Sequence, residues 1–149
     1  MEEEIEYNQH IERKNIAREV MLTSIAEARN PGSKVQIFDF DMQKTRTLPK
    51  TEVGPMYYFC KLNAWNLTFY NFGNHEGSCY VWDETLGKKG SNEIASYLTK
   101  YVDDLMLRKP NTEEIIMYSD NCFGQNKNQI VFTAVILLAI KHKVTIRHR

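Results

Sequence analysis

Cysteine is scarce in this chain: Cys60, Cys79 and Cys122 are an odd number with no CxxC spacing. A disulfide framework or a zinc ribbon is therefore not expected, and a reducing compartment is the default. Net charge is absent as well, nineteen basic residues balancing nineteen acidic ones. Without bulk attraction to nucleic acid or anionic lipid, a histone-like or polybasic binder is excluded, though a local basic patch is not. Long apolar runs are missing too. The longest, Ile130–Ile140 (IVFTAVILLAI), has eleven residues, where a membrane span needs about twenty. The opening Met1-Glu2-Glu3-Glu4 is the reverse of a secretory n-region, so neither export nor a membrane anchor is expected. There is no GxSxG elbow and no HExxH, and Gly87-Lys88-Lys89-Gly90 lacks the spacing of a phosphate-binding loop; nucleotide hydrolysis is unsupported.

What is present suits one globular domain. The 149 residues, 42% hydrophobic and 26% charged, bury roughly two-thirds of their unfolded surface without needing a metal or disulfide to fold. Residues 2 to about 29 read as a helix stopped by Asn30-Pro31-Gly32-Ser33. Its apolar residues form two broken groups, Ile5, Ile16 and Val20 against Ile11, Met21, Leu22 and Ile25, so it reads as a charged arm over residues 1–33. Residues 34–149 form the core. Val35–Met42 is a strand whose Val35, Ile37, Asp39 and Asp41 share a face. Met56–Phe72 is a long aromatic strand, Asn71–Ser78 a hairpin turn, and Ser78–Leu86 the returning strand. The period then changes. Ser91 is a fitting N-cap for a helix with the stripe Ile94, Leu98, Tyr101, Val102 and Leu105, closed by Pro110. Glu114–Tyr118 reads as a buried central strand, Ser119–Asn128 as a polar loop, Gln129–Lys141 as an apolar helix, and Val144–Ile146 as the start of a last strand. The order is β-β-β-α-β-α-β, an α/β domain with a mixed five-strand sheet.

Acids fall at pointed places in that order. Asp41 ends the first strand, Asp120 ends the fourth, and Glu93 occupies the first turn of the helix after the hairpin. Each has an ordinary role open to it: Asp at a strand end bonds its own turn, and Glu93 complements a helix N-terminus. Asp39 shares the face of Asp41 and competes with it as a ligand. Beyond Asp120 the amides of Asn121, Gln125 and Asn126, with Lys127, crowd one loop. They suit a ligand backbone or simply cap the following helix. Residues 121–149 carry five basic side chains and no acidic one, a charge that can face phosphate or complement a helix C-terminus. His142 and His148 read as isolated surface histidines, Cys122 as a packed small hydrophobe, and Trp65 and Trp82 as core.

The run YSDNCFGQNKN (118–128) resembles the signature of a transposase-derived, ribonuclease H-like (integrase-like) domain found in many invertebrate proteins. IFDFDMQKTRTLP, YVWDETLGKKGSNEIASYL and the charged helix ahead of the first strand resemble the same family, so the likeness spans nearly the whole chain. It implies a ribonuclease H-like fold with Asp41 and Asp120 as metal ligands and Glu93 as a third catalytic acid. Asn121, Gln125, Asn126 and Lys127 are then the candidates for substrate contact. The ions expected are Mg²⁺ or Mn²⁺, the substrate DNA, and the reaction metal-dependent phosphodiester cleavage or strand transfer; a nuclear compartment is expected from that substrate alone, and a cytoplasmic one otherwise. One departure counts against turnover: no acid follows Asp120, where the family continues to a closing carboxylate, so the chain reads as a fragment. The alternative is a non-catalytic remnant that binds nucleic acid or a protein partner. A homo-oligomer is compatible with either.

Overall fold

In the computed structural model the described residues are 2–50, 53–57, 61–120, 122 and 128–149. A 28-residue helix α1 (Glu2–Arg29) leads into β1 (Val35–Met42), a three-residue β2 (Arg46–Leu48) and a single helical turn α2 (Gly54–Tyr57). The hairpin β3 (Leu62–Asn71) and β4 (Glu76–Asp83) follows, then α3 (Ser91–Arg108), β5 (Glu114–Ser119), α4 (Gln129–His142) and β6 (Thr145–His148).

The six strands form one mixed sheet. β1 is antiparallel to β3 and parallel to β5, β5 is parallel to β6, and β4 pairs with the far side of β3. β1 takes residues 67–71 of β3 and β2 takes residues 62–64, so the two lie end to end along one strand. The segment between them is tied to β3 as well: Gln43 N–H donates to the Asn66 carbonyl at 3.0 Å, and Trp65 Nε1 donates to Thr45 Oγ1 at 3.2 Å.

Alternation in β1 sorts its side chains. Phe38, Phe40 and Met42 enter the main core under α3 and α4, with Phe69, Trp65 and Trp82 from the hairpin. Val35 and Ile37 face the other way and form a smaller cluster with Ile116 of β5 and Ile25 of α1. A central strand covered on both faces is apolar at successive positions, and Ile115, Ile116 and Met117 of β5 are all buried. The α3 stripe is buried as its spacing predicts, at Ile94, Leu98, Tyr101, Val102 and Leu105. Tyr101 stacks on Phe69 with ring centres 4.4 Å apart and meets Phe38 edge-on at 4.8 Å, geometries that aromatic quadrupoles favour. Trp82 is seated by a 3.0 Å bond from Nε1 to the Lys88 carbonyl.

Several expectations need correction. The sheet has six strands rather than five, because the exposed β2 has no burial pattern to announce it. The long aromatic strand begins at Leu62, with the helical turn Gly54–Tyr57 ahead of it. The hairpin loop turns through a left-handed His75 (φ 60°), and Gly77 lies within β4. The N-cap of α3 is Gly90, and Ser91 is already helical. On α1 the seated positions are Met21, Ser24, Ile25 and Ala28, one continuous stripe, while Ile16, Val20 and Leu22 are exposed. Among the described residues no helix is long and apolar enough to cross a membrane.

Candidate functional site

The C-terminal ends of β1 and β5 lie side by side, where ligands of α/β sheets commonly bind. Parallel pairing runs from Val35 opposite Glu114 to Phe40 opposite Ser119; Asp41 is the next residue of β1, and Asp120 is the first residue after β5. Asp41 shares the sheet face of Ile37 and Asp39, because strand side chains alternate. It is exposed, and across β3 its partner is Thr68, whose Oγ1 lies 3.6 Å from Cys79 Sγ of β4. α1 covers the other end of this face. Among the described residues, the half around Asp41 is open and polar.

Asp39 is half-buried, between Tyr118 of β5 and Tyr70 of β3. Burial pushes its carboxyl above the usual range; backbone N–H groups of Asp39 and Tyr70 oppose this, and the charge of Asp41 adds to the rise. A cation on this face would relieve that repulsion. Asp120 is exposed, and its Oδ1 accepts the Cys122 N–H at 3.4 Å, the local turn open to an Asp at a strand end.

Glu93 is placed otherwise. Its Oε1 accepts the Lys88 N–H at 2.8 Å, and its carboxylate lies against Gly87 and Gly90, where an added Cβ would stand 3.2 and 3.1 Å from its oxygens. Glu93 therefore closes the loop between β4 and α3, on the α3 side of the sheet. Asn121, Gln125, Asn126 and Lys127 lie outside the described residues. Asn128 is the N-cap of α4, its Oδ1 accepting from Ile130 N at 3.0 Å and Val131 N at 3.1 Å.

Among the described residues no three His, Cys, Asp or Glu side chains converge. The Asp41–Asp120 edge offers two hard oxygen donors. That suits Mg²⁺ or Mn²⁺ held by one or two carboxylates, with water and substrate phosphate completing the shell.

Two histidines are more engaged than isolated surface positions would be. His148 Nε2 lies 2.8 Å from Ser119 Oγ, next to Asp120, and its ring tilts over Phe40 at 6.0 Å. His142 Nε2 lies 2.6 Å from Asp103 Oδ1, while Lys141 Nζ reaches Asp103 Oδ2 at 2.7 Å, which ties α4 to α3. Only the β5–β6 register, Met117 opposite His148, brings the first pair together; no sequence spacing encodes it. Cys122 is half-exposed, not packed away. A polar hollow with Arg29, Arg108 and Lys109 on its wall opens at the opposite end of the sheet. Those cations complement the C-termini of α1 and α3, which sufficiently explains their presence.

No family model, curated protein or solved structure matches the chain.

Proposed function

We propose that this chain is a ribonuclease H-like, transposase- or integrase-related core that processes DNA by divalent-metal-dependent phosphodiester cleavage or strand transfer. The observation that carries the reading is the parallel pairing of β1 and β5 up to Phe40 opposite Ser119, after which come Asp41 and Asp120 respectively. The strand order β4-β3-β1-β5-β6, with only β3 running against the others, supports it. So does the resemblance of YSDNCFGQNKN to the family signature.

In this reading Asp41 and Asp120 hold the ion, and Asp39 beside them adds negative field. The bound metal would supply an activated water or hydroxyl and steady the leaving oxygen. Asn121, Gln125, Asn126 and Lys127 serve as substrate contacts from the loop that follows Asp120. The positive charge of the C-terminal segment is partly spent within the chain, Lys141 on Asp103 and Arg147 on Glu114 at 2.8 Å. Its contribution to DNA affinity is correspondingly small, and its site of action nuclear.

The engagement of Glu93 with the Lys88 N–H favours a second reading. With that acid used to close a loop, the fold would serve as a non-catalytic module binding nucleic acid or a protein partner.

A Mn²⁺ titration followed by NMR line broadening, beside Asp120→Asn, tests the site. Broadening centred on Asp41 and Asp120 and lost in the variant is the expected result. Uniform or absent broadening in a folded sample would refute the metal site and leave the binding module.

A further inference from the structure

The ladder between β1 and β5 ends at Phe40 opposite Ser119. Asp120 is the first residue beyond β5, so strand pairing by itself does not set the direction of its side chain. A residue in that position keeps two soft dihedrals until its own carbonyl is held. Ser119 holds it: Oγ donates to the Asp120 carbonyl at 3.1 Å. Asp120 is thereby restrained on both sides of its α-carbon, by the strand before it and by the serine hydroxyl after it.

Ser119 is in turn held from β6. Its N–H donates to the Arg149 carbonyl at 3.3 Å, and its Oγ lies 2.8 Å from His148 Nε2. A hydroxyl carries one proton. With that proton directed at the Asp120 carbonyl, Oγ accepts from the imidazole, which places a proton on Nε2. The chain of donors then runs one way, from His148 through Ser119 to Asp120, so that each bond polarises the next. The imidazole is aimed as well as bonded. Its ring lies against Phe40, itself 1% exposed, with centres 6.0 Å apart and planes 31° apart. The backbone beyond it is tied down too, Arg149 N–H donating to the Met117 carbonyl at 2.9 Å. Ser119 and Phe40 immediately precede Asp120 and Asp41, and this one side chain touches both.

Ser119 is half-exposed, and water could satisfy its hydroxyl, so the histidine is not needed for that purpose. What it adds is restraint. A serine free of such a partner has three staggered positions for Oγ, and only a rotamer directed at the Asp120 carbonyl fixes that residue.

We infer that His148 is a positioning residue for the Asp120 carboxylate, acting through the Ser119 hydroxyl. The inference rests on the reading of Asp120 as a metal ligand, and adds the group that orients it.

The test is the Mn²⁺ affinity of the full chain near pH 7.5, read from line broadening at Asp41 and Asp120. His148→Phe keeps a ring against Phe40 and removes the donor. It should weaken Mn²⁺ binding about 10-fold, the scale typical of groups that orient metal ligands, with an unchanged urea midpoint. His148→Gln can donate from its amide and should recover most of that loss. Ser119→Ala should weaken binding as much as His148→Phe does. The two together should be no weaker than Ser119→Ala alone, because they act along one path. Wild-type binding that is indifferent to His148→Phe overturns the inference alone, as does a double variant whose losses multiply. A folded wild type in which Mn²⁺ broadens neither Asp41 nor Asp120 removes the metal reading, and the inference with it. Long-range ¹H–¹⁵N correlation spectra of the metal-free chain give a second, independent readout. They should show the His148 proton on Nε2, and a proton on Nδ1 alone overturns the inference whatever the response to Mn²⁺.

Discussion

Ile115 and Ile116 are neighbours on β5 that point into different cores, and truncating each to alanine removes the same three carbon atoms. Both are essentially buried, at 0% and 3% exposure. Lost transfer free energy alone is about 0.8 kcal/mol per carbon, roughly 2.4 kcal/mol for either substitution. The cavity adds to this by an amount set by how far the walls can settle. Around Ile115 the walls are Phe38, Leu98, Val135 and the rest of the main cluster, held by the sheet on one side and two helices on the other. Around Ile116 they are Ile25, Val35 and Ile37, with Met21, Ala28, Phe72 and Tyr118 at the margin. One of those walls is α1, which is seated only by its last two turns and can move inward. The expected losses are about 4 kcal/mol for Ile115→Ala and about 2.5 kcal/mol for Ile116→Ala. Urea melts read at two wavelengths give both numbers, and amide exchange across Met21–Arg29 should rise in the second variant alone. A loss below about 1 kcal/mol for Ile116→Ala would falsify the assignment of β5 as a central strand with α1 packed on it. A loss larger than that of Ile115→Ala would show that α1 is as rigid a wall as α3 and α4.

Three further outcomes are expected. In the wild type, backbone amides of residues 6–18 should exchange faster than those of 21–29, because only the later turns are packed; equal protection by hydrogen–deuterium exchange would mean that the whole arm is covered. Burial pushes the Tyr101 hydroxyl up to about 12, against a hydrogen bond with Asn71. The unfolded chain therefore releases that proton near pH 10 while the folded chain keeps it, so stability should fall by up to roughly 3 kcal/mol between about pH 10 and 12. Tyr101→Phe should remove that alkaline limb, and a limb persisting in the variant would assign it to another group. Burial alone would raise Asp103, but the hydrogen bonds and charges of Lys141 and His142 outweigh it and hold the carboxyl below its ordinary 3.8. Its contribution is complete above that value and lost as pH falls through the lower folded one, so Asp103→Asn should cost about 0.5–1 kcal/mol at pH 7, a gap that closes below about pH 4. Denaturant melts at pH 7 and pH 3 check this, and an unchanged gap would mean the α3–α4 tie is not ionic.

Much of the architecture was legible wherever a single physical signal decided it. The stripe of α3 and the alternation of β1 needed only period and burial, and both lie where those signals placed them. The apolar run Ile115–Met117 within β5 announced its burial on two faces. β2 was illegible because its three residues are exposed and owe their conformation to β3 alone. α1 was legible as a helix but its seated face was not, since Ile16, Val20 and Leu22 mimic a buried stripe while remaining in solvent. At the candidate site, the positions of Asp41 and Asp120 near strand ends could be read locally, but the parallel pairing of their strands needed the fold. Glu93 showed the limit of that approach. Its position in the first turn fits both an active-site acid and a loop closure, and only the Lys88 N–H distinguishes them. Ser119 and His148, 29 residues apart, meet through parallel strand pairing that no local pattern carries.

The end-to-end placement of β1 and β2 along β3 has a consequence for whatever binds at the sheet end. Asp41 sits in a segment fastened before it by β1 and after it by Gln43, Thr45 and β2, all to the same strand. Its backbone is thus ordered before any ligand arrives. Ordering a free loop around a ligand subtracts from affinity, whereas a group already fixed subtracts nothing. Asp41 is in this sense a fixed jaw, a donor whose backbone is set before a ligand reaches the edge. Lengthening the segment between Met42 and Arg46 should therefore weaken binding at this edge even though every ligand-contacting side chain is kept.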